Sequence, residues 1–314
     1  MHHRVHEFAR RLAALPGVAY ILVLQAIVFG SVAEGFLSPL NLTNIGTQAT
    51  ILLMLALPMT LVILTEGLDI SMGAVLTLCS VVLAWVLAHG GGIGLALAAS
   101  AAMGLAFGVA NGTLVSYLGM PPFVATLGTL GMAQGLALAI TDGQSIVGIS
   151  AQIAFMRADV LGIPLVLIFA FVAYFFVHAL LYYTRFGTYI FAIGGNREAL
   201  ALAGVHARAW HAGVYVFAGL MVGITGLLLV ARTNSGHPTA AFGMEFDAIA
   251  AVAVGGTSFE RGEGWLFGTL LGVLAVGVMR NGLNVAGVSS SLQVVAIGLL
   301  VIAALLIDAL RRRA

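Results

Sequence analysis

The chain has 314 residues and a net charge of +1; 61% of its residues are hydrophobic and only 8% are charged, a balance far more apolar than that of a soluble domain. Since a membrane-spanning helix needs about 20 residues, this length allows about ten spans and leaves no room for a separate soluble domain. All 13 basic residues are arginine, which excludes a P-loop, because the lysine of that loop reaches the nucleotide phosphates. We therefore expect one all-α polytopic membrane domain over residues 1–314, with no catalytic site, no cofactor or metal, and no nucleic acid partner.

Six apolar runs precede the middle of the chain and predict six spans. They cover residues 18–33, a run ending near residue 64, and residues 74–88, 93–118, 122–140 and 164–183. The first run is interpreted as a retained helix, because it is longer than the apolar region of a signal peptide. Pro58 inside the second run predicts a kink or a break. Regularly spaced glycines predict close helix packing in the fourth run (Gly104, Gly108, Gly112) and in the fifth (Gly128, Gly131, Gly135).

Two carboxylates, Glu66 and Asp69, lie between the second and third runs. Asp69 is followed by Ser71 and a helix-like run, so it can cap the third helix, where the helix dipole favours a negative charge. The alternative is a proton or cation site, since carboxylates within a membrane are usually functional. The sequence leaves both interpretations open.

Four further spans are predicted after the middle of the chain, at residues 211–230, 248–254, 265–279 and 292–310. The second of these is only half a bilayer long and precedes a glycine-rich break at residues 255–264, a pattern typical of broken helices around a translocation pathway. Candidate pathway residues are polar or aromatic and lie beside helix breaks: Asn111, Phe123 and Asn281. Helix packing accounts for each of them equally well, and Asn111 is also interpreted as an interhelical hydrogen-bond donor.

A polar stretch at residues 184–210 separates the two groups of spans and carries several charged residues. Such a stretch belongs on the aqueous side of a membrane. Asn196 can cap a short helix, which places Glu198 in its first turn, where the dipole favours an anion. We expect one or two exposed helical turns that end at Gly204. The stretch is either an ordinary loop or a docking helix for a cytosolic partner.

The placement of arginine indicates the orientation. Nine of the 13 arginines lie in three segments: the N-terminal arm, the polar stretch at 184–210, and the C-terminal tail. By the positive-inside rule, all three segments are cytoplasmic. Six spans before the polar stretch and four after it are even numbers, so they return the chain to the same side of the membrane each time. An offset of five helices then relates the two halves in opposite orientation, as inverted repeats require.

Five sequence blocks, in chain order, resemble one family. They lie at residues 67–75 (GLDISMGAV), 121–129 (PPFVATLGT), 194–199 with 203–205 (GGNREA and AGV), 250–258 (AAVAVGGTS) and 280–284 (RNGLN). On these blocks the chain resembles the membrane subunit of bacterial ABC importers of the ribose and monosaccharide type. One departure is the charged turn at residues 260–263, where the family more often has neutral residues.

The resemblance implies a division of labour between subunits. A cytosolic ATP-binding subunit would hydrolyse ATP, a periplasmic binding protein would deliver a monosaccharide or a related small polar solute, and a second permease subunit, identical or different, would complete the pathway in the bacterial inner membrane. The polar stretch would supply the coupling helix that docks on the ATP-binding subunit. The implied coupling residues are Gly195, Asn196, Arg197, Glu198, Ala199, Leu200 and Gly204.

Two alternatives within transport remain open at this point. A permease of the branched-chain amino acid type would share the architecture, and an ion-coupled secondary transporter would use Glu66 and Asp69. A membrane enzyme is disfavoured because the histidines show no metal-ligand spacing. The sequence does not specify which sugar is carried.

Overall fold

The structure, a computed structural model, describes residues 17–258 and 262–311. Some residues used above lie outside these ranges. They are the N-terminal arginines Arg4, Arg10 and Arg11, the residues Glu260 and Arg261 of the charged turn, and the arginines Arg312 and Arg313 of the C-terminal tail.

The described residues are mostly helical, with eleven α-helices longer than ten residues. Their bounds are α1 Gly17–Val32, α2 Pro39–Leu64, α3 Met72–Ala88, α4 Ile93–Gly112, α5 Pro122–Thr141, α6 Leu165–Tyr183, α7 Arg185–Leu202, α8 Ala207–Thr233, α9 Met244–Val254, α10 Leu266–Val285 and α11 Ser290–Arg311. A π-helical turn, Thr113–Tyr117, continues α4. The connection between α5 and α6 contains a short helix, Ser150–Ile153, a 3-10 turn, Ala154–Arg157, and a small antiparallel hairpin of strands β1 (Asp159–Val160) and β2 (Ile163–Pro164).

Prolines and left-handed residues set several helix ends. The Ser38 side chain accepts a hydrogen bond from the Asn41 amide (3.3 Å) at the start of α2. Pro122 begins α5, as the sequence predicts, because the first helical position needs no amide donor. Asp142 and Asn234, which follow α5 and α8, have φ values of 48° and 56°, a left-handed conformation that their short polar side chains tolerate. The boundaries therefore follow from local chemistry.

Six helices are long and apolar enough to cross a membrane: α2, α4 with its π-helical turn, α5, α6, α8 and α10. Three shorter apolar helices, Gly17–Val32, Met72–Ala88 and Ser290–Ala303, accompany them. Helix α9 has 11 residues and a length of about 16 Å, half of the hydrocarbon thickness of a bilayer. These helices confirm a polytopic all-α membrane protein and the predicted half-length segment.

Helices α2 and α8 form the centre of the bundle, and α8 packs closely on α4. A Cβ atom added at Gly104 would collide with the main-chain oxygen of Gly219, and one added at Gly108 would lie 2.5 Å from the oxygen of Tyr215. Gly112 is similarly close to Ala212. Because glycine lets the two backbones touch, the predicted glycine face of α4 is confirmed.

Three local predictions need correction. Gly128, Gly131 and Gly135 face open space within the described chain, because a glycine spacing indicates a smooth face and not what covers it. Helix α2 continues through Pro58, so a break there is wrong, while a kink stays a prediction; the residues around Pro58 are buried, and their packing stabilises the helix on both sides of the proline. Residues 185–195, predicted as part of a loop, are helical, since Ile190 and Ile193 bury one face.

Contacts between the connections distinguish the two ends of the bundle. At one end, Gly194 of α7 contacts Leu64, the last residue of α2, and Gly262, which follows α9. At the other end, Ile146 and Gly236 form a bridge between the connections that follow α5 and α8. We call these the α7 end and the hairpin end. Helix α8, with 27 residues, spans the distance of about 40 Å between them.

Candidate functional site

A short capped helix at the α7 end matches the predicted docking segment, and we call residues 196–204 the docking segment. Helix α7 is interrupted at Asn196, whose φ and ψ are −161° and 94°. The Asn196 Oδ1 atom accepts a hydrogen bond from the Ala199 amide at 2.8 Å, which is the N-cap geometry. Gly204, with φ of 78°, donates its amide hydrogen bond to the Ala201 oxygen at 3.0 Å. The predicted cap and the predicted end of this helix are confirmed.

Most side chains of the docking segment point away from the bundle. Gly195 before it is exposed, as are Asn196, Arg197, Glu198 and Ala199. Leu200 alone is buried, where it packs with Ile193 and Ala207. Leu202 is 90% exposed, although it is a leucine on an ordered helix. One side chain therefore anchors the segment, and the others form an exposed surface of both charge signs with an apolar residue at its end.

The main chain links this segment directly to the membrane helices. A Cβ atom on Gly194 would overlap the carbonyl oxygen of Leu64 and lie 2.6 Å from the Cα atom of Gly262. No side chain larger than hydrogen fits between these backbones. Gly194, two residues before the docking segment, is therefore packed backbone to backbone against the end of α2.

A cavity of about 680 Å³ adjoins the docking segment. Its wall includes the polar side chains of Arg197, Glu198, His206 and Arg208, which come from both sides of Gly204, and Tyr117 from the π-helical turn after α4. The cavity lies at the α7 end, and these polar groups stand in a lining that is otherwise mostly apolar. Its chemistry suits a protein partner that carries charged side chains of both signs.

Asn111 lies in a buried polar cluster near Asp69. Its amide nitrogen donates hydrogen bonds to Ser71 Oγ at 3.0 Å and to Asp69 Oδ2 at 3.3 Å, and its Oδ1 accepts one from Thr129 at 2.8 Å. Asp69 Oδ1 accepts hydrogen bonds from the Ser71 amide (2.9 Å) and hydroxyl (2.5 Å). This arrangement makes Asn111 the interhelical donor that the sequence offered as one interpretation. It joins α4 to the connection before α3 and to α5.

The structure also separates the two carboxylates of this connection. The first turn of α3 has no side-chain cap hydrogen bond. Asp69 instead accepts hydrogen bonds from Ser71, the residue just before α3. The prediction that Asp69 itself caps the first turn of α3 is therefore wrong. Glu66 is exposed, while Asp69 is buried. Among the described residues no group of three or more His, Cys, Asp and Glu side chains is arranged to hold a metal ion.

The other two candidate pathway residues lie in different surroundings. Asn281 of α10 exchanges two hydrogen bonds with Asn41 of α2, at 2.8 Å and 3.1 Å, and is buried. Phe123 is 53% exposed in the first turn of α5. Asn111, Phe123 and Asn281 thus belong to three separate environments, and their role in a pathway stays a prediction.

The sequence analysis missed an ion pair at the start of α9. Arg280 and Asp247 are 2.5 Å apart between the nearest guanidinium nitrogen and carboxylate oxygen. Glu245, two residues earlier, is fully buried; its Oε2 accepts a hydrogen bond from the Gly243 amide (3.0 Å), and its Oε1 has no partner in the described part of the chain. Two carboxylates in the first turn of an apolar half-length helix were the available signal.

The membrane helices, the half-length helix α9 and the surface docking segment together define a polytopic membrane permease. Residues 41–305 match the family described as "Branched-chain amino acid transport system / permease component", and the chain belongs to this family. No solved structure gives a significant match.

Curated relatives cover nearly the whole chain. The ribose import permease protein RbsC of Bacillus subtilis is 39% identical over 91% of this chain and 90% of its own length. The D-allose transport system permease protein AlsC of Escherichia coli is 35% identical over 94% and 91%. The galactose/methyl galactoside import permease protein MglC of Haemophilus influenzae is 32% identical over 93% and 92%.

These relatives confirm the resemblance stated from the sequence blocks. Although the family description mentions branched-chain amino acids, the relatives named above are permeases of sugar transport systems. Neither the branched-chain alternative nor the secondary transporter that uses Glu66 and Asp69 is favoured. The chain is a multi-pass inner-membrane transport subunit of the sugar permease type, and its relatives are transport proteins, not enzymes.

Proposed function

We propose that this chain is the membrane subunit of an ATP-driven importer that carries a monosaccharide or a closely related polar solute, and that a separate ATP-binding subunit drives it through the docking segment. The observation that carries the proposal is the docking segment itself, which is a capped, exposed helix. Gly194, two residues before Asn196, touches the backbone of α2. A push on this segment therefore moves a helix that crosses the membrane, which is the requirement for coupling hydrolysis to a change of access.

The proposed topology has ten spans with both termini in the cytoplasm. Helices α1 to α6 supply six spans, α7 stays on the cytoplasmic side, and α8 to α11 supply four. The α7 end then faces the cytoplasm, and the hairpin end faces the periplasm. Residues 184–210 form the cytoplasmic coupling region of a single permease domain over residues 1–314. The two halves are related as inverted repeats, with α2 corresponding to α8 and α3 to the half-length helix α9.

Two further partners complete the proposed importer. A periplasmic binding protein docks at the hairpin end and delivers the sugar. A second permease subunit, identical or different, packs beside this one; the exposed glycines of α5, Gly128, Gly131 and Gly135, offer a face on which another helix can approach closely. The names of the relatives, which refer to ribose, allose and galactose, support a monosaccharide as the substrate.

The test compares two exposed leucines at opposite ends of the bundle. Leu202 is 90% exposed in the docking segment, and Leu161 is 98% exposed in the turn of the hairpin. Each is replaced by glutamate, and the purified permease is combined with the ATP-binding subunit that copurifies with the wild type. We expect Leu202→Glu to weaken association and ATP-driven sugar uptake at least tenfold, and Leu161→Glu to leave association unchanged. Equal association of the two variants would contradict the proposal.

A substrate panel separates the remaining alternatives. Uptake of labelled D-ribose, D-allose, D-galactose and L-leucine is measured with ATP inside proteoliposomes, and again with an imposed proton or sodium gradient and no ATP. We expect uptake of one sugar that requires ATP. Uptake of leucine alone, or uptake driven by an ion gradient, would overturn the proposed function.

A further inference from the structure

A second, larger cavity opens at the hairpin end. Its volume is about 820 Å³, within the range of small-molecule sites. Five helices form its wall: α2, α8, α9, α10 and α11. The N-terminal turn of the half-length helix α9 forms part of this wall. The cavity therefore extends from the hairpin end to the place where α9 begins. It lies at the opposite end of the bundle from the docking segment.

The Asp247–Arg280 ion pair lies in the wall of this cavity. The Arg280 side chain is 40% exposed, while the Asp247 side chain is 9% exposed. A charged pair within an apolar bundle faces either a protein partner or water, because lipid would not solvate it. The exposed part of Arg280 therefore indicates a water-filled cavity. It also leaves guanidinium donors free for a ligand, since one nitrogen is used by Asp247.

Two other polar side chains line the same cavity and have no partners of their own. The Gln48 amide and the Arg232 guanidinium form no hydrogen bond or ion pair with any described residue. An amide both donates and accepts hydrogen bonds, and a guanidinium donates several in a fixed plane. Among the described residues of the wall, Asp247 is the one carboxylate, and it is already paired with Arg280. The described part of the wall thus offers donors and neutral acceptors, and no free anion for an ammonium group.

Aromatic rings complete the wall. Phe242 and Phe246, just before and within the first turn of α9, are 56% and 58% exposed, and both line the cavity. A monosaccharide has hydroxyl groups that donate and accept hydrogen bonds, and carbon-bound hydrogens on the faces of its ring. A wall that holds both polar groups and aromatic rings matches both parts of such a molecule.

We propose that this cavity is the sugar-binding vestibule of the permease: it receives the monosaccharide at the hairpin end and holds it through Gln48, Arg232 and the Asp247–Arg280 pair, with the sugar ring against Phe242. The proposal rests on the proposed function, because it assigns a place to the sugar that the importer carries. The residues of this one cavity thereby replace Asn111, Phe123 and Asn281, which lie in three separate environments, as the candidates for contact with the sugar.

The first test measures sugar uptake per ATP hydrolysed in proteoliposomes that contain the complete importer with its binding protein. The probe is whichever of labelled D-ribose, D-allose and D-galactose the wild type carries. The cavity variants are Phe242→Ala and the charge-neutral double variant Asp247→Asn with Arg280→Gln, which removes both charges together. The matched control is Phe171→Ala, at a ring of α6 that is 59% exposed; Phe171 does not line this cavity, and it lies within a helix and not in the connections of the hairpin end.

We expect each cavity variant to lose at least tenfold in uptake per ATP, because a lost hydrogen bond to a charged group or a lost aromatic contact weakens binding by about this factor. Stimulation of ATP hydrolysis by the loaded binding protein should stay within twofold of the wild type, and the control variant should behave as the wild type. Unchanged uptake per ATP in the cavity variants would overturn the vestibule. So would a parallel fall of hydrolysis and uptake, since that result indicates a structural role.

A second test detects the sugar in the cavity without measuring transport. Cys79 is the chain's single cysteine and is buried, so Gln48→Cys can be labelled selectively in a Cys79→Ala background. We expect the sugar-loaded binding protein to slow labelling of Gln48→Cys by a maleimide at least fivefold relative to the sugar-free binding protein, and the loaded and free forms to have equal effects on Leu161→Cys. Labelling at Gln48→Cys that the sugar does not slow would overturn the vestibule. A wild type that carries only leucine, or that imports a sugar on an ion gradient without ATP, would instead overturn the proposed function.

Discussion

The cap of the docking segment provides a quantitative test of coupling. In the Asn196→Ala variant, the hydrogen bond from the Ala199 amide to Asn196 Oδ1 (2.8 Å) is lost, which removes about 1 kcal/mol of helix stability. The helical residues that the cap holds, Arg197 to Leu202, form fewer than two turns, and a helix this short is marginal on its own. The loss should therefore appear almost fully in the fraction of the segment that is helical.

This free energy corresponds to a change of about fivefold in the equilibrium constant between the helical and non-helical forms of the segment, since about 1.4 kcal/mol is tenfold. If the ATP-binding subunit binds only the helical form, its apparent Kd rises by up to the same factor, because the competent fraction falls. Asn196→Asp, which can cap and adds a charge that the helix dipole favours, should retain the wild-type affinity. Asn44→Ala, at an exposed asparagine of α2, is the control for replacing a surface amide.

The assay is a titration of the purified permease in mild detergent with the ATP-binding subunit, followed by the change in fluorescence of a label on that subunit. Unchanged affinity of Asn196→Ala would show that docking does not require the helix. An equal loss in Asn196→Ala and Asn196→Asp would show that the amide itself, and not the cap, is recognised. Either result would refute the reasoning.

Three further predictions concern the packing of the bundle, and each is checked by thermal unfolding in detergent. Gly219→Leu places a side chain against the backbone of Gly104 and should destabilise the protein by at least 1–3 kcal/mol, roughly the cost of overpacking. Gly94→Leu, at an open position of α4, should change stability by less than about 0.5 kcal/mol, and equal effects would contradict the contact between α4 and α8. Asn281→Ala leaves the Asn41 Oδ1 atom without its donor, while the Asn41 amide nitrogen keeps its hydrogen bond to the Phe36 oxygen. It should destabilise the protein by about 1–3 kcal/mol. Asn41→Ala with Asn281→Ala together should destabilise by less than the sum of the single variants, and strict additivity would show that the pair does not interact. Asn111→Leu removes a hydrogen-bond donor to buried Asp69 and the acceptor of the Thr129 hydroxyl, so it should destabilise the protein by about 1–3 kcal/mol or more. Adding Asp69→Asn should restore part of this loss. No restoration would contradict the hydrogen-bonded cluster.

The features that sequence predicted well depend on neighbouring residues. Apolar runs placed the helices because each span must satisfy its backbone hydrogen bonds internally. The cap at Asn196 and the end at Gly204 followed from residue types that act within one helical turn. The glycine face of α4 could be predicted for the same reason, because it follows from a regular spacing of glycines along one helix.

Features that join distant parts of the chain were not predictable in this way. Asn41 and Asn281 are 240 residues apart in sequence, and Asp247 and Arg280 are 33 apart. No local pattern states which polar residue meets which, so Asn281 was assigned to a pathway although its amide is used by Asn41. The glycines of α5 resemble those of α4 in spacing, yet they face open space within the described chain, because the covering helix is not encoded in the spacing.

The central claim is that the docking segment faces the cytoplasm and contacts the ATP-binding subunit. It is tested by labelling Glu198→Cys, in a Cys79→Ala background, with a membrane-impermeant maleimide. We predict that the reagent labels this cysteine in inside-out vesicles and not in intact spheroplasts, and that the ATP-binding subunit protects it; Leu161→Cys should show the reverse sidedness. Labelling of Glu198→Cys from the periplasmic side, or labelling that the ATP-binding subunit does not slow, would contradict the account.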